Sequence, residues 1–386
     1  MAGRTKRGIV ADWWWGVDRW FLAAFLTLLV GGLVLSFAAS PPVADRIGVE
    51  PFHFVKRHAM FLVPSILVMF GASLLSPRGV RRVALVTLGA AIVLMMLTLF
   101  IGTEIKGSRR WIDFGPIGLQ PSEFMKPSFV VICAWLFAEK ARRPEIPGNL
   151  FAIILLLMVM GLLVAQPDLG QTILTVAAWG GLFFMSGMPW IWVGGLAGLA
   201  VSGFVVAYTV FPHVASRLDR FLTGEGDNYQ TETAYQAIIH GGWLGQGPGE
   251  GTVKRLLPDS HTDFAFSVIA EEFGVVTCMA LAAVFCFIVT RGLSVALSRR
   301  DVFSRLAISG LVFLFGFQSI INMAVNLQLM PAKGMTLPFI SYGGSSMLAV
   351  ALTAGFVLAL TRREPQNRSQ TDRLLARTYA LQAQSA

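Results

Sequence analysis

The hydrophobic pattern of this chain is not the period-two alternation of a half-buried strand. Nor is it the 3.6-residue stripe of a soluble amphipathic helix. It consists of long blocks that are apolar on every side, separated by short polar turns. Each block is near the ~20 residues a helix needs to cross the hydrocarbon of a bilayer. Ten blocks can be read, at 19–39, 58–77, 82–102, 123–138, 149–166, 171–187, 189–211, 264–290, 304–329 and 345–360. The pattern predicts an all-α polytopic membrane protein with about ten transmembrane helices in a single domain at 19–360. Residues 1–18 precede it. A long loop at 212–263 separates helices 7 and 8, and a polar tail follows at 361–386.

Composition strengthens this picture. Of 386 residues, 55% are hydrophobic and 14% charged, too little polar surface to cover a soluble core. A net charge of +9 would suggest nucleic acid in a soluble protein. Here the placement of the basic residues matters more than their sum, and no nucleic-acid partner is expected. Arg78, Arg81 and Arg82 share one turn, Lys140, Arg142 and Arg143 another, and Arg299 and Arg300 a third. The positive-inside rule then makes these turns, the N-terminus and the tail cytoplasmic. The N-terminal WWWGVDRW runs into the first block with no cleavage site, so a retained first helix is expected. Cys133, Cys278 and Cys286 all fall in spans and form neither a disulfide framework nor a metal motif.

That orientation places three polar segments on one outer face, at 102–126, 211–263 and 329–346. They hold most of the candidate chemistry. Asp263, in LLPDSHTDFAFSVIAEEFGVV, sits where water meets the eighth block. An acid there can complement a helix dipole or serve as a catalytic base. Asp259 suits the first role better. Glu271 and Glu272 fall deeper in the same block and cannot share one face with Asp263. At least one of them is expected to pair inside the bundle as a structural element.

Arg109, Arg110 and Trp111 suit either a phosphate at the membrane surface or an interfacial anchor. Glu123 and Lys126, three residues apart, can pair on one helix face. Lys126 as a phosphate contact is the alternative. Asp168 in QPDLG is placed to cap the sixth span. Residues 241–251, GGWLGQGPGEG, lack the order of a P-loop and are expected to form a flexible surface loop. The preceding TETAYQAIIHGGWLGQG suggests a short amphipathic helix lying on the membrane, with Tyr235, Ile238, Ile239 and Trp243 near one face. Lys333, Ser341 and Tyr342 surround a Gly-Gly pair that permits close backbone approach. The five histidines show no ligand spacing, so no zinc site is predicted.

Five stretches together resemble one family: KGSRRWIDFGPIGLQPSEFMK, AQPDLGQ, AIIHGGWLGQGPGEG, LLPDSHTDFAFSVIAEEFG and LMPAKGMTLPFISYGGSS. They run in family order from residue 106 to 346. The chain resembles the SEDS family (shape, elongation, division and sporulation) of bacterial membrane glycosyltransferases. AKGMTLPFISYGGSS and WWWGVDRW look closer to the division-type branch than to the elongation-type branch.

The resemblance implies polymerisation of lipid II into glycan strands on the periplasmic side of the cytoplasmic membrane, at the division septum. It makes Asp263 the catalytic carboxylate. Arg109, Arg110, Trp111, Lys126, Lys333, Ser341 and Tyr342 become candidate substrate contacts, with Glu123, Asp168, His261 and Glu271 in support. It also implies a class B penicillin-binding protein, with other division proteins, as partner. A divalent cation such as Mg2+ or Mn2+ could share the charge of the leaving pyrophosphate, although no dense acidic cluster demands one. Three other readings compete. They are an elongation-type polymerase, a lipid II flippase, for which charges lining a path through the midplane are expected, and a scaffold that only recruits partners.

Overall fold

The computed structural model describes residues 8–105, 108–115, 117–210, 215, 229–331 and 334–362. Lys106, Lys333, residues 216–228 and the tail beyond Arg362 lie outside them, so expectations for those residues find no structural counterpart.

Each apolar block is a helix. After a short helix α1 (Ile9–Gly16), the expected spans appear as α2 (Arg19–Ile47), α3 (His53–Ser73), α4 (Pro77–Ile101), α5 (Pro121–Arg142), α6 (Gly148–Ala165), α7 (Leu169–Met185) and α8 (Trp190–Val210). The order continues with α9 (Tyr229–Gly241), α10 (Ala265–Leu297), α11 (Val302–Asn326) and α12 (Gly344–Thr361). Seven of these helices are long and apolar enough to cross a membrane. α7 is apolar but one residue shorter than the shortest of them, and α5 carries charges at both ends. The chain is a multi-pass membrane protein. α5, α11 and α12 form its centre, and the remaining helices leave apolar side chains such as Leu67, Val86, Phe100 and Ile191 facing outward. In a bilayer those side chains meet lipid.

Local chemistry sets several boundaries. Asp18 caps α2 by accepting from the Trp20 and Phe21 amides, and its carboxylate also pairs with Arg291 at 2.7 Å. α2 runs past the expected end at 39 and through Pro41 and Pro42. Pro42 has no N–H to offer the carbonyl of Ala38, four residues back. That carbonyl accepts from Lys254 Nζ instead, at 3.2 Å. Ser76 caps α4, with Pro77 in its first turn.

Three features depart from the sequence reading or go beyond it. The first is the outer segment at 102–126, for which the pattern predicts no element of its own. It forms a three-stranded antiparallel meander of β1 (Thr103–Ile105), β2 (Ser108–Phe114) and β3 (Ile117–Leu119). In β2, Trp111, Ile112 and Phe114 favour a pleated, half-buried surface, and Ile112 is buried. The second concerns α9, which does not simply lie on the membrane. Its Ala234, Ala237 and Ile238 are buried, whereas Tyr235, Ile239 and Trp243 are exposed, so the expected apolar face is split.

The third concerns α10, which is not one continuous span. It is broken at Gly274, with φ 80° and ψ 170°. In an unbroken helix the carbonyls of Glu271 and Glu272 would accept from the amides of Val275 and Val276. The break separates both pairs, and the glycine-rich loop re-pairs all four groups. Gln246 and Gly247 amides donate to the Glu271 and Glu272 carbonyls at 2.9 and 3.0 Å. Val275 and Val276 amides donate to the Gly242 and Trp243 carbonyls at 3.0 and 3.2 Å. Buried backbone groups left unpaired cost about 1–3 kcal/mol each, which is why a break at this depth needs such a splice. Residues 241–247 are therefore an ordered insert rather than a flexible surface loop. Glycine is needed at Gly245, with φ +83°, because a Cβ there would lie 2.2 Å from the Glu272 carbonyl oxygen.

Candidate active site

Asp263 lies in a tight turn immediately before α10, whose N-cap position is Phe264, so the acid does not occupy the cap itself. The turn is closed by the Asp259 carbonyl, which accepts from the Thr262 and Asp263 amides at 3.1 Å each. Asp263 is half-buried. Its own carbonyl accepts from the side-chain amides of Asn322 and Asn326, at 2.9 and 3.1 Å. Its carboxylate faces the loop after α11: a Cβ built on Gly334 would sit 3.4 Å from Oδ2.

Asn322 and Asn326 belong to a row. Gln318, Asn322 and Asn326 recur every four residues along one buried face of α11. Gln318 accepts from Lys126 Nζ at 3.2 Å and donates to the Thr336 carbonyl at 3.0 Å. Asn322 donates to the Met335 carbonyl at 2.6 Å as well as to Asp263. Asn326 Oδ1 accepts from the Ser267 hydroxyl and amide, at 2.6 and 3.1 Å. The amide row thus joins the start of α5, the segment 335–336 and the Asp263 turn. The sequence reading passed over these residues. Their four-residue period inside an apolar span was the available signal, because side-chain amides in lipid need partners.

The other candidates divide by surroundings. Lys126 pairs with Glu123 at 3.0 Å, and both are buried. Gln171 donates to Glu123 at 2.8 Å. Asp168 caps α7 by accepting from the Gln171 amide at 3.3 Å, and it pairs with Arg110, also at 3.3 Å. Arg109 points to the other side of β2 and meets Glu104 at 3.3 Å, where both side chains are about half exposed. Ser341 is buried and accepts from the Leu337 amide at 2.9 Å, so it closes a turn and does not line an accessible surface. Its expected substrate contact gives way to that role. Gln120 donates its amide to Ser345 at 3.3 Å, tying the end of the meander to the start of α12.

His261 and Tyr342 stack with ring centroids 5.6 Å apart, and Phe54 lies 4.2 Å from the imidazole. The Tyr342 amide donates to the His261 carbonyl at 2.9 Å. These rings wall a narrow cleft together with Leu35, Ser36, Ala39 and Ile269. Burial pushes the His261 pKa down to about 4, so the ring is neutral at pH 7.

Glu271 and Glu272 both have partners inside the protein. Glu271 accepts from the Thr252, Val253 and Lys254 amides at 2.7–2.8 Å, and His240 Nδ1 lies 3.0 Å away. Glu272 pairs with Lys254, which the sequence reading did not single out. Burial lowers the Lys254 pKa, against the opposing pull of Glu271. Among the described residues no three His, Cys, Asp or Glu side chains gather as a metal site.

The chain is similar to known proteins over most of its length. A relative from Caulobacter vibrioides, called probable peptidoglycan glycosyltransferase FtsW, is 47% identical over 364 residues, covering 94% of this chain and 93% of the relative. A protein of the same name from Pseudomonas fluorescens is 34% identical and covers 89% of the chain and 88% of itself. Among solved structures, one chain from a study of coordinated polymerization and crosslinking by a peptidoglycan synthase complex superposes with a TM-score of 0.76 at 28% identity. It covers 89% of this chain and 97% of its own. The rod shape determining protein RodA of Thermus thermophilus superposes with a TM-score of 0.67 at 29% identity, over 91% and 99% of the two chains. Residues 19–366 match the family model FtsW/RodA/SpoVE, described as cell cycle protein. With the full membrane domain matched and the fold shared, the chain belongs to the FtsW, RodA and SpoVE family of cell cycle proteins.

Proposed function

We propose that this chain is a peptidoglycan glycosyltransferase that polymerises lipid II into glycan strands for septal wall synthesis during cell division. The observation that carries the reading is the clamp on Asp263. A half-buried carboxylate in the turn before a broken helix has its backbone carbonyl held by two buried asparagines of α11. A catalytic base needs that kind of fixed placement, whereas a surface cap does not. The names of the relatives support both the reaction and the division role.

In the reaction, the sugar 4-hydroxyl of one substrate attacks the anomeric carbon of the other. Asp263 takes the hydroxyl proton as the new C–O bond forms, a contribution of roughly 10²–10⁴-fold. The anomeric C–O bond to phosphate breaks, and the pyrophosphate leaves with the electron pair. Its growing charge calls for cations. Arg109 suits this best, because Arg110 is engaged with Asp168 and Lys126 with Glu123. Lys333 is a further candidate from the sequence. A bound divalent cation would supply additional charge neutralisation. Asp263 and the phosphate oxygens would hold it, since no group of three acid, imidazole or thiol side chains forms among the described residues.

The chain works in the bacterial inner membrane at the septum, with Asp263 on the periplasmic side. A cognate class B penicillin-binding protein docks on it and crosslinks the strands. The solved synthase complex, in which polymerization and crosslinking are coordinated, supports such a partner. A flippase is less well supported, since the acids Glu123, Glu271 and Glu272 are each paired inside the protein. The test is purified protein with lipid II and a gel readout of glycan. Polymer formation supports the reading, and its absence under conditions where the protein is folded overturns it. Rescue of cells depleted of their septal polymerase, against cells depleted of the elongation polymerase, tells the two branches apart.

A further inference from the structure

Glu271 is fully buried, carries a charge-bearing group in an apolar helix, and has no part in the proton transfer described above. A carboxylate so placed costs several kcal/mol unless its oxygens are satisfied. Here they are satisfied by backbone. Three consecutive amides, of Thr252, Val253 and Lys254, converge on it at 2.8, 2.8 and 2.7 Å. Thr252 is the N-cap residue of a short 3-10 turn, Val253–Arg255, which leads into Leu257 and the Asp263 turn.

The same region is tied down twice more. Residues 242–247 are spliced into the break of α10 by four backbone hydrogen bonds. Lys254 bridges Glu272 to the Ala38 carbonyl that Pro42 leaves without a helical partner. The chain before Asp263 and the helix after it are thus welded to each other through Glu271. Asp263 lies between the two welded pieces.

We propose that Glu271 is a positioning residue for Asp263. By gathering the amides of 252–254 onto the half of α10 that begins beside Asp263, it fixes the approach of the carboxylate to its substrate. The inference rests on the proposed glycosyltransferase reading. It assigns the buried glutamate and the glycine-rich loop a part in the reaction rate, not only in folding. A misplacement of about 1 Å in a reacting group costs up to about a hundredfold in rate, so a modest loosening is enough to be read.

The experiment uses the full-length protein in nanodiscs with Glu271→Ala, Glu271→Gln and, at a different point of the weld, Gly245→Ala. Hydrogen–deuterium exchange follows residues 246–263, and initial polymerisation rates are measured against lipid II concentration per folded molecule. Amides of 252–254 should exchange at least about tenfold faster in Glu271→Ala while α11 and α12 keep their protection. The maximal rate should fall roughly tenfold to a hundredfold with the apparent KM within about twofold, and Glu271→Gln should lie between. A merely structural glutamate would lower the yield of folded protein and leave the rate per folded molecule unchanged, and that result overturns the inference. Unchanged exchange at 252–254 in Glu271→Ala overturns it as well. If Glu271→Ala does not fold, Glu271→Gln and Gly245→Ala decide by the same two measurements. Failure of wild-type protein to make polymer would instead count against the glycosyltransferase reading, and the exchange data would still judge the weld.

Discussion

Asn322 holds the backbone of Asp263: its side-chain amide donates to the Asp263 carbonyl at 2.9 Å, and also to the Met335 carbonyl at 2.6 Å. One buried side chain therefore sets the spacing between the candidate catalytic turn and the loop opposite it. Replacing Asn322 by Asp removes the donor and points a carboxylate at two carbonyls. A buried acceptor left unpaired costs about 1–3 kcal/mol. Asn322→Asp should lower the melting temperature in detergent and reduce polymerisation at least about tenfold. Asn322→Gln keeps the donor at the wrong reach and should fold better than it reacts. Equal specific activity in both variants and wild type would remove Asn322 from the site.

Asp263→Asn keeps the size of the side chain and the backbone clamp, but the amide cannot accept the proton. Polymerisation should fall by roughly 10²–10⁴-fold while the protein accumulates in the membrane at the wild-type level. Full polymer yield from the purified variant would end the assignment of Asp263 as base.

The three outer segments should share one face of the membrane. With Cys133, Cys278 and Cys286 replaced, Glu250→Cys should react with an impermeant maleimide in cells whose outer membrane alone is opened. Arg300→Cys should react only after the inner membrane is opened too. Both positions are exposed, so lack of labelling reports sidedness and not burial. The reverse pattern would invert the topology.

Arg109 and Arg110 are neighbours with different commitments. Arg110 is held by the buried Asp168, while Arg109 shares a solvent-screened pair with Glu104 that is worth about 0–1 kcal/mol. Arg109 can exchange that partner for a phosphate at small cost. A bidentate phosphate contact needs the planar fork of arginine, so Arg109→Lys should lose rate. An interfacial anchor needs only a long cation, and Lys would serve. Coincident rate curves for wild type, Arg109→Lys and Arg109→Ala would make Arg109 an anchor.

The parts of this fold that were legible from sequence are those with short-range causes. Ten apolar blocks appear as ten helices, because a helix pairs most of its backbone within its own segment. Asp168 before an apolar block reads as a cap, and Glu123 with Lys126 reads as an i, i+3 pair. The rest depends on partners remote in the chain. EEFGVV reads as continuous helix, because glycine is tolerated in membrane helices and the loop that completes the break lies about thirty residues earlier. Lys254 shows its role only once Ala38 and Glu272 are beside it. Arg109 and Arg110 look alike in sequence, and only the register of β2, with Arg109 opposite Glu104, separates them.

His261 offers a prediction in pH. It is packed between Phe54 and Tyr342, and its Nδ1 has no hydrogen-bond partner among the described residues. Burial is the largest cause of its low pKa, about 4 against an ordinary 6.5; Asp259 works to raise it and Arg46 to lower it. Between those values the unfolded chain binds a proton that the folded protein does not. Stability from this residue is therefore complete above about pH 6.5 and is lost progressively as the pH falls toward 4. The full shift sets an upper bound of about 3 kcal/mol, reduced because the ring is not entirely shielded from solvent. Wild-type protein should thus lose melting temperature between pH 7 and pH 5, and His261→Phe, which keeps the stack and cannot titrate, should lose less. Comparing the two slopes cancels the other titrating groups. Parallel slopes would mean that His261 remains free to take a proton in the folded protein, and that the Phe54–His261–Tyr342 stack does not seal it from water.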